Sequence, residues 1–142
     1  MSDVYCTFRV GGLLVGVDVE RVQEVLHDPE VTPVPLAHES VVGLLNLRGQ
    51  IVTAIDARRR LGLSERDAKE ATSHVIVRCQ AETVSLVVDI EDEVVDVNAE
   101  AVDEVPETLS SAIRDLLTGI HQLDTGLLLL LDADRTLSVT AT

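Results

Sequence analysis

The sequence predicts an all-β fold with one or two short helices, organised as two similar strand-rich subdomains. Short runs of β-branched and apolar residues, separated by glycine and proline turn signals, recur along the 142 residues. Helical spacing of apolar residues followed by a stop glycine is found around residues 109–117. The chain also nearly repeats itself, which is typical of a duplicated unit.

The predicted strands alternate with tight turns. Residues 4–10 are rich in β-branched and aromatic side chains, and Gly11-Gly12 supplies the turn into the next strand. Arg48-Gly49 marks a second bend between two strands. The last strand is continuously apolar, which predicts burial on both faces. In order, the predicted strands cover residues 4–10, 13–19, 41–47, 50–55, 75–79, 84–90, 94–97 and 127–131.

Two segments have helical character. Residues 57–71 are polar and helical in composition, although Gly62 and Ser64 suit a turn and a loop equally well. From residue 109 to residue 117, apolar side chains recur at helical spacing, and Gly119 suits the stop.

Two pairs of segments recur in the same order. Residues 15–20 return as residues 86–91, and residues 43–48 line up with residues 119–124. The second alignment also matches three later pairs of residues: Asp56 with Asp132, Arg59 with Arg135, and Leu61 with Leu137.

The repeat predicts one domain over residues 1–142 with two subdomains, roughly residues 1–71 and 72–142. Each half is marginal for an independent core, so we expect the halves to pack on each other. The seam between them is then the natural groove.

Composition narrows the function classes. Acidic residues (25) outnumber basic residues (11), and the formal net charge is −14. A field of this sign repels phosphate backbones and anionic lipids, so we expect no nucleic-acid partner and no direct membrane insertion. Phe8 and Tyr5 are the only aromatic residues, which leaves no stacking platform for bases. The first residues lead into strand-like sequence without a basic leader or a long apolar segment, so we expect a cytoplasmic protein.

No catalytic or metal motif is recognisable. Gly11 to Gly16 has the spacing of a phosphate-binding loop, but Val17-Asp18 follow where Lys and Ser or Thr are needed, so a hairpin turn explains the glycines. The histidines lack ligand spacing, Cys6 and Cys79 are far apart in the chain, and no serine lies in a Gly-x-Ser-x-Gly elbow. We therefore expect no catalytic residue, no metal and no cofactor.

Two charge runs have competing interpretations. The acidic run at residues 89–93 is either a cation site or a solvated face, and it lacks the pattern of a calcium loop. The basic run Arg58-Arg59-Arg60 could meet an acidic partner, interact with a helix end or stay solvated.

One motif contains a residue that turn formation alone does not explain. Asn46-Leu47-Arg48-Gly49 follows Gly43 by a few residues, and Asn46 and Gly49 are typical of a hairpin turn. A turn does not require Arg48. An arginine held on a rigid turn is positioned to bind a carboxylate within the chain or on a partner.

These residues are part of a longer pattern. Residues 19–25 (Val-Glu-Arg-Val-Gln-Glu-Val), a loop with Pro33 and Pro35, and residues 42–52 (Val-Gly-Leu-Leu-Asn-Leu-Arg-Gly-Gln-Ile-Val) follow one another. The rest of the pattern comprises residues 55–58, 86–89 and 117–120, and an apolar strand ending in Asp132. Over nearly its whole length the chain resembles the CheW family, the coupling proteins of bacterial chemotaxis.

The resemblance implies two five-stranded SH3-like β-barrel subdomains packed on a shared core, and no catalysis. Its members are adaptors that couple the cytoplasmic helical tip of chemoreceptors (methyl-accepting chemotaxis proteins) to the regulatory domain of the histidine kinase CheA. The protein would therefore be cytoplasmic and recruited to membrane-associated receptor arrays.

The resemblance also implies a binding site. The receptor tip would lie as a helix in the groove between the barrels. Val22, Val87 and Val88 would form the apolar lining of that groove, and Arg48 would sit at its edge, paired with Glu24. The kinase would contact the outer apolar surface of a barrel.

Two alternatives remain open. The same scaffold would serve a chemosensory-like pathway for pili or development equally well. A small ligand-binding barrel or hydrolase is an alternative of another class, and the missing nucleophile and metal spacing argue against it.

Overall fold

The computed structural model describes residues 4–67, 70–80 and 82–138, and within them ten strands form two five-stranded sheets. The first sheet contains β1 (Val4–Val10), β2 (Leu13–Asp18), β8 (Ile90–Asp96), β9 (Leu117–Leu123) and β10 (Gly126–Leu131). The second sheet contains β3 (Val22–His27), β4 (Val41–Leu47), β5 (Gln50–Asp56), β6 (Ser73–Cys79) and β7 (Glu82–Val88). The same residues include 3₁₀ turns at Val19–Arg21 and Ala99–Ala101, and short helices α1 (Ala57–Arg60), α2 (Ser111–Arg114) and α3 (Ala133–Leu137). The predicted all-β class is confirmed, with three short α-helices in these residues instead of one or two.

The two sheets have the same topology. The strand order is β8-β1-β2-β10-β9 in the first sheet and β3-β6-β7-β5-β4 in the second. Shifting every strand number by five converts one order into the other. The pairing directions agree as well, because β10 is parallel to β2 and β5 is parallel to β7, whereas the other neighbours are antiparallel. The duplication inferred from the sequence is therefore present in the fold.

The sheets do not follow the predicted subdomain boundary near residue 71. The second sheet takes β3, β4 and β5 from the first half of the chain and β6 and β7 from the second half. The first sheet takes the remaining strands of each half. The physical reason is that the chain crosses between sheets at Asp18 and Asp89, so each sheet combines the hairpin of one half with three strands of the other. The second sheet is therefore formed by residues 22–88, and the first sheet by the stretches on either side of them.

Each sheet contributes to a buried cluster on both of its faces. One face of each sheet contributes to a shared cluster, here called the inter-sheet core, which includes Phe8 and Val15 of the first sheet and Val75 and Leu86 of the second. The other face of the first sheet packs around Leu128 and Leu130. The other face of the second sheet packs around residues including Leu45, Val52 and Ile76. Two subdomains packed on a shared core, as predicted, account for these three clusters.

The helix predicted at residues 109–117 is shorter than expected. α2 ends at Arg114, and Leu117 already pairs with Leu131 at the start of β9. The end of the predicted helix is therefore part of β9, which pairs with β10. Gly119 lies inside this strand instead of ending a helix. The other helical segment, residues 57–71, is helical only in α1 and irregular over residues 61–67, while residues 68–69 lie outside the described residues.

The strand predicted at residues 127–131 is mostly buried, as expected. Leu128 to Leu131 are buried, whereas Leu127 is exposed at the start of the strand. The repeat continues beyond this strand, because Asp132 caps α3 by accepting a hydrogen bond from the Arg135 amide. Its repeat equivalent Asp56 caps α1 by accepting one from the Arg58 amide.

Gly43 and Gly119 are equivalent in the repeat, and both are covered by a crossing segment. A Cβ at Gly43 would lie 2.3 Å from the Thr32 carbonyl oxygen, and one at Gly119 would lie 2.4 Å from Val102 Cγ1. Thr32 bridges to Leu44, and Asp103 bridges to Ile120, in the same arrangement. A side chain at either position requires its crossing segment to shift, which explains why the repeat aligns two glycines.

Candidate functional site

The Asn46-Leu47-Arg48-Gly49 motif forms the tight turn between β4 and β5. Leu47 pairs with Gln50, so Arg48 and Gly49 are the two loop residues. Their φ angles are +49° and +88°, as a two-residue hairpin with right-handed strand twist requires. Asn46 Oδ1 accepts a hydrogen bond from the Gly49 amide at 2.8 Å. Leu47 is buried in the second sheet's own cluster, so the turn is held both by this packing and by the hydrogen bond to Asn46.

The turn presents Arg48 to Glu24. Arg48 Nη2 donates a hydrogen bond to Glu24 Oε1 at 2.7 Å. Glu24 lies on β3 and Arg48 follows β4, so the contact joins the two edges of the second sheet. The hydrogen bond lowers the pKa of the Glu24 carboxyl and raises the pKa of the Arg48 guanidinium, which keeps both groups charged at neutral pH.

Val22 and Glu24 occupy opposite faces of β3. Val22 is registered with Val77 and packs against the inter-sheet core. Glu24 is registered with Ile76, which belongs to the second sheet's own cluster. A register shift separates the two positions. The predicted apolar residue and the predicted ion pair therefore lie on one strand but point to different sides of the sheet.

Val87 and Val88 correct the predicted groove lining. Both lie on β7, the middle strand of the second sheet, and their exposed fractions are 2% and 0%. Val87 packs in the sheet's own cluster and Val88 in the inter-sheet core. A central strand has both faces covered, so neither side chain offers surface to a partner.

The structure brings β8 to the position opposite β3 instead. His27 Nε2 of β3 lies 2.7 Å from Glu91 Oε1 of β8, and both strands are sheet edges. Val94 of β8 is 63% exposed and is registered with Cys6, which packs against the inter-sheet core. We call the space between the edge strands β3 and β8 the inter-sheet groove; β3 carries the half-buried Val22 and Val25, and β8 carries the exposed Val94.

Sequence reasoning missed the β8 wall of this groove. The sequence indicates a charge run at residues 89–93 and a separate strand at residues 94–97, whereas the structure combines most of both in one edge strand, β8. The usable signal was the apolar pair Val94-Val95 directly after the acidic residues. One of these two residues packs inward, and the other is exposed at the sheet edge.

Each charge run is engaged within the chain in part, although residues 90–93 of the acidic run are exposed. Asp89 accepts hydrogen bonds from Arg58, from Arg66 and from the Gly11 amide, at distances of 2.7 to 2.9 Å. Burial raises the pKa of Asp89, but these hydrogen bonds outweigh it and lower the pKa to about 2. Arg60 donates to the carbonyls of Thr136 and Arg135. The basic run is therefore used within the chain.

A cavity of about 590 Å³ lies beside α3, lined by Cys79, Gln80, Glu82, Asp134, Arg135, Leu137 and Ser138. Burial raises the pKa of the Cys79 thiol to about 11, so the thiol stays protonated at neutral pH and is a poor nucleophile. Among the described residues, no group of three or more His, Cys, Asp or Glu side chains is arranged to hold a metal ion. In the same residues, no helix is long and apolar enough to cross a membrane.

Comparison with known proteins agrees with this architecture. The CheW-like domain model matches residues 4–141. The chemotaxis protein CheW of Thermotoga maritima is 29% identical over 83 residues, which cover 58% of this chain and 54% of that protein. The CheW of Rhizobium meliloti is 34% identical over 89 residues, covering 61% and 56%. The matched region thus spans about half the length of these curated relatives.

A solved structure extends the likeness to the whole fold. The crystal structure of the scaffolding protein TtCheW from Thermoanaerobacter tengcongensis superposes with a TM-score of 0.86 at 26% identity, covering 100% of this chain and 97% of that one. Its fold agrees with the two five-stranded sheets described above, and the family model spans almost every residue of the chain. With fold and sequence in agreement, this chain belongs to the family of CheW-like domains.

Proposed function

We propose that this protein is a non-catalytic adaptor that couples chemoreceptors to the histidine kinase CheA. It acts in the cytoplasm and is recruited to membrane-associated receptor arrays. Family membership supports a role in chemotaxis signalling, and the structural relative TtCheW is a scaffolding protein. The observation that carries the proposal is the inter-sheet groove. It lies between the sheet edges β3 and β8, and β8 carries the exposed apolar residue Val94.

The groove suits a helical partner. Its walls are the edge strands β3 and β8, and its floor is the margin of the inter-sheet core. Val22 and Val25 are half-buried and Val94 is exposed, so an apolar helix face gains contact area by covering all three. The cytoplasmic tip of a chemoreceptor is such a helical partner. Glu24, on the other face of β3, would hold the exposed Arg48 at the rim of the groove, where its guanidinium can reach that partner.

The kinase contact is proposed on the outer ends of the sheets. Ile51 of β5 is 62% exposed and Leu127 of β10 is 53% exposed. The two residues are equivalent in the repeat, since each is the second residue of its strand after a hairpin turn. Exposed apolar side chains at matching places on both sheets suit contacts with a domain of similar fold, as the regulatory domain of CheA is.

The experiment measures binding of two partners to one set of variants. The probes are a helical-hairpin fragment from the cytoplasmic tip of a chemoreceptor and a CheA regulatory domain, both from the same organism. Val94→Asp should abolish binding of the receptor fragment and leave kinase binding unchanged. Ile51→Asp should weaken kinase binding and leave receptor binding unchanged. Leu36→Asp, at a fully exposed leucine on neither proposed surface, is the matched control and should change neither. Binding of the receptor fragment by Val94→Asp at full affinity would overturn the groove assignment.

A further inference from the structure

We infer that the β8 wall of the inter-sheet groove selects a helical partner that carries basic side chains. This inference rests on the proposed function and adds the chemistry of the partner. β8 has the sequence Ile-Glu-Asp-Glu-Val-Val-Asp, and six of its seven residues are exposed. The strand therefore offers apolar contact at Val94 together with four carboxylates.

Two of these carboxylates already have a hydrogen-bond partner within the chain. Asp92 Oδ2 accepts a hydrogen bond from Arg9 Nε at 2.9 Å, and Glu91 Oε1 lies 2.7 Å from His27 Nε2. The side chains of Glu93 and Asp96 form no ion pair with the described residues. Glu93 directly precedes Val94, and Asp96 follows it by two positions. The exposed apolar residue is thus flanked along the strand by uncompensated negative charge.

The opposite wall does not supply the missing positive charge. On β3, Glu24 is already paired with Arg48, and His27 is engaged by Glu91. Asp28 and Glu30 follow β3 directly and add further carboxylates. A helix in the groove therefore meets an apolar strip between acidic margins. Charge complementarity favours Lys or Arg beside its apolar contact residues, and it disfavours a helix with an acidic flank.

A purely protective role for these charges makes a different prediction. Carboxylates on an edge strand prevent edge-to-edge pairing with another sheet. If that were their whole function, neutralising them would change self-association and leave the affinity for the receptor fragment unchanged. Electrostatic selection predicts a change in that affinity and in its salt dependence.

The test compares two double variants that remove the same amount of charge. Glu93→Gln with Asp96→Asn neutralises the β8 wall, whereas Glu107→Gln with Asp124→Asn neutralises exposed carboxylates on neither wall of the groove. Affinity for the receptor-tip fragment is measured at about 0.1 M and about 1 M salt, where the Debye length falls from about 10 Å to about 3 Å.

The β8 variant should bind about three- to tenfold more weakly at low salt, as expected for the loss of two exposed charge pairs, and should lose most of its salt dependence. The control should change affinity less than about twofold. Equal affinities and equal salt dependence for the two double variants would overturn the inference. If Val94→Asp still abolishes binding in that case, the groove assignment stands and only the charge selection is wrong. If Val94→Asp binds normally, the proposed function itself is wrong.

Discussion

His27 and Glu91 lie on the edges of different sheets, yet their side-chain atoms Nε2 and Oε1 are 2.7 Å apart. This contact marks where β3 and β8 approach each other without pairing as strands. Because β3 and β8 are equivalent in the repeat, the groove lies at the junction of the two halves of the duplicated fold. The predictions below test the residues that build this groove and the fold that holds it.

Arg48→Glu should preserve the fold and weaken binding of the receptor fragment. The turn is built by Asn46 and Gly49, so it does not need the guanidinium, and the new carboxylate repels Glu24. Circular dichroism should therefore be unchanged, while affinity falls by at least about tenfold because a like-charge contact replaces a charge-assisted one. Unchanged affinity would remove Arg48 from the proposed site, and Arg59→Glu, outside the groove, is the matched control.

Asp89→Asn should be far more destabilising than Asp18→Asn. Asp89 accepts hydrogen bonds from Arg58 and Arg66, whose side chains are only 15% and 10% exposed. Without it, Arg58 keeps only the longer contact with Glu70, and Arg66 keeps only Asp56. The expected cost is about 3 kcal/mol of unfolding free energy, because several hydrogen bonds to charged groups are weakened or lost. Asp18, its repeat equivalent, accepts a hydrogen bond from the Glu20 amide, and that cap is worth about 1 kcal/mol. Urea denaturation of the two variants measures the difference, and similar losses would contradict it.

Stability should fall as the pH drops from about 6.5 towards 4, because of His74. Burial lowers the pKa of His74 to about 4, whereas an unfolded histidine has a pKa of about 6.5. The unfolded state therefore binds the proton first, so the stabilising effect is complete above pH 6.5 and is lost by up to about 3 kcal/mol near pH 4. In His74→Gln this part of the pH dependence should disappear. His38→Gln, at an exposed histidine, should retain it when unfolding is followed at several pH values.

Gly43→Ala should destabilise the protein more than Gly119→Ala. The new methyl group at residue 43 meets the backbone carbonyl of Thr32, which cannot rotate away. At residue 119 the nearest atom belongs to the side chain of Val102, which can move. Overpacking of this kind costs about 1–3 kcal/mol, and we expect Gly43→Ala at or above the upper end. Equal midpoints of chemical denaturation for the two variants would show that the crossing segments are free to shift.

The hairpins and the repeat could be predicted from the sequence because their signals are local. Gly11-Gly12 and Arg48-Gly49 are turn residues, and the four strand ends beside them lie where the sequence predicts them. The aspartates that cap α1 and α3 lie 76 positions apart, and the alignment of the repeat identified both. Such features depend on neighbours along the chain.

The exchange of strands between halves and the second wall of the groove could not be predicted in the same way. Which sheet β3 joins depends on pairing with β6, about 50 residues later, and no local pattern encodes that choice. For Val87 and Val88, an apolar run indicates a buried strand, but it does not say whether the strand is central or at an edge. For Val94, the sequence predicts a strand at residues 94–97, but it does not show that this strand includes the acidic residues before it and lies at a sheet edge.

Hydrogen exchange of the backbone amides, measured with and without the receptor-tip fragment, tests the central claim most directly. If a helix occupies the inter-sheet groove, the amides of β3 and β8 should gain protection, and those of β4 and β9 at the opposite sheet edges should be unaffected. Protection confined to β4 and β9, with β3 and β8 unchanged, would contradict the groove as the binding site.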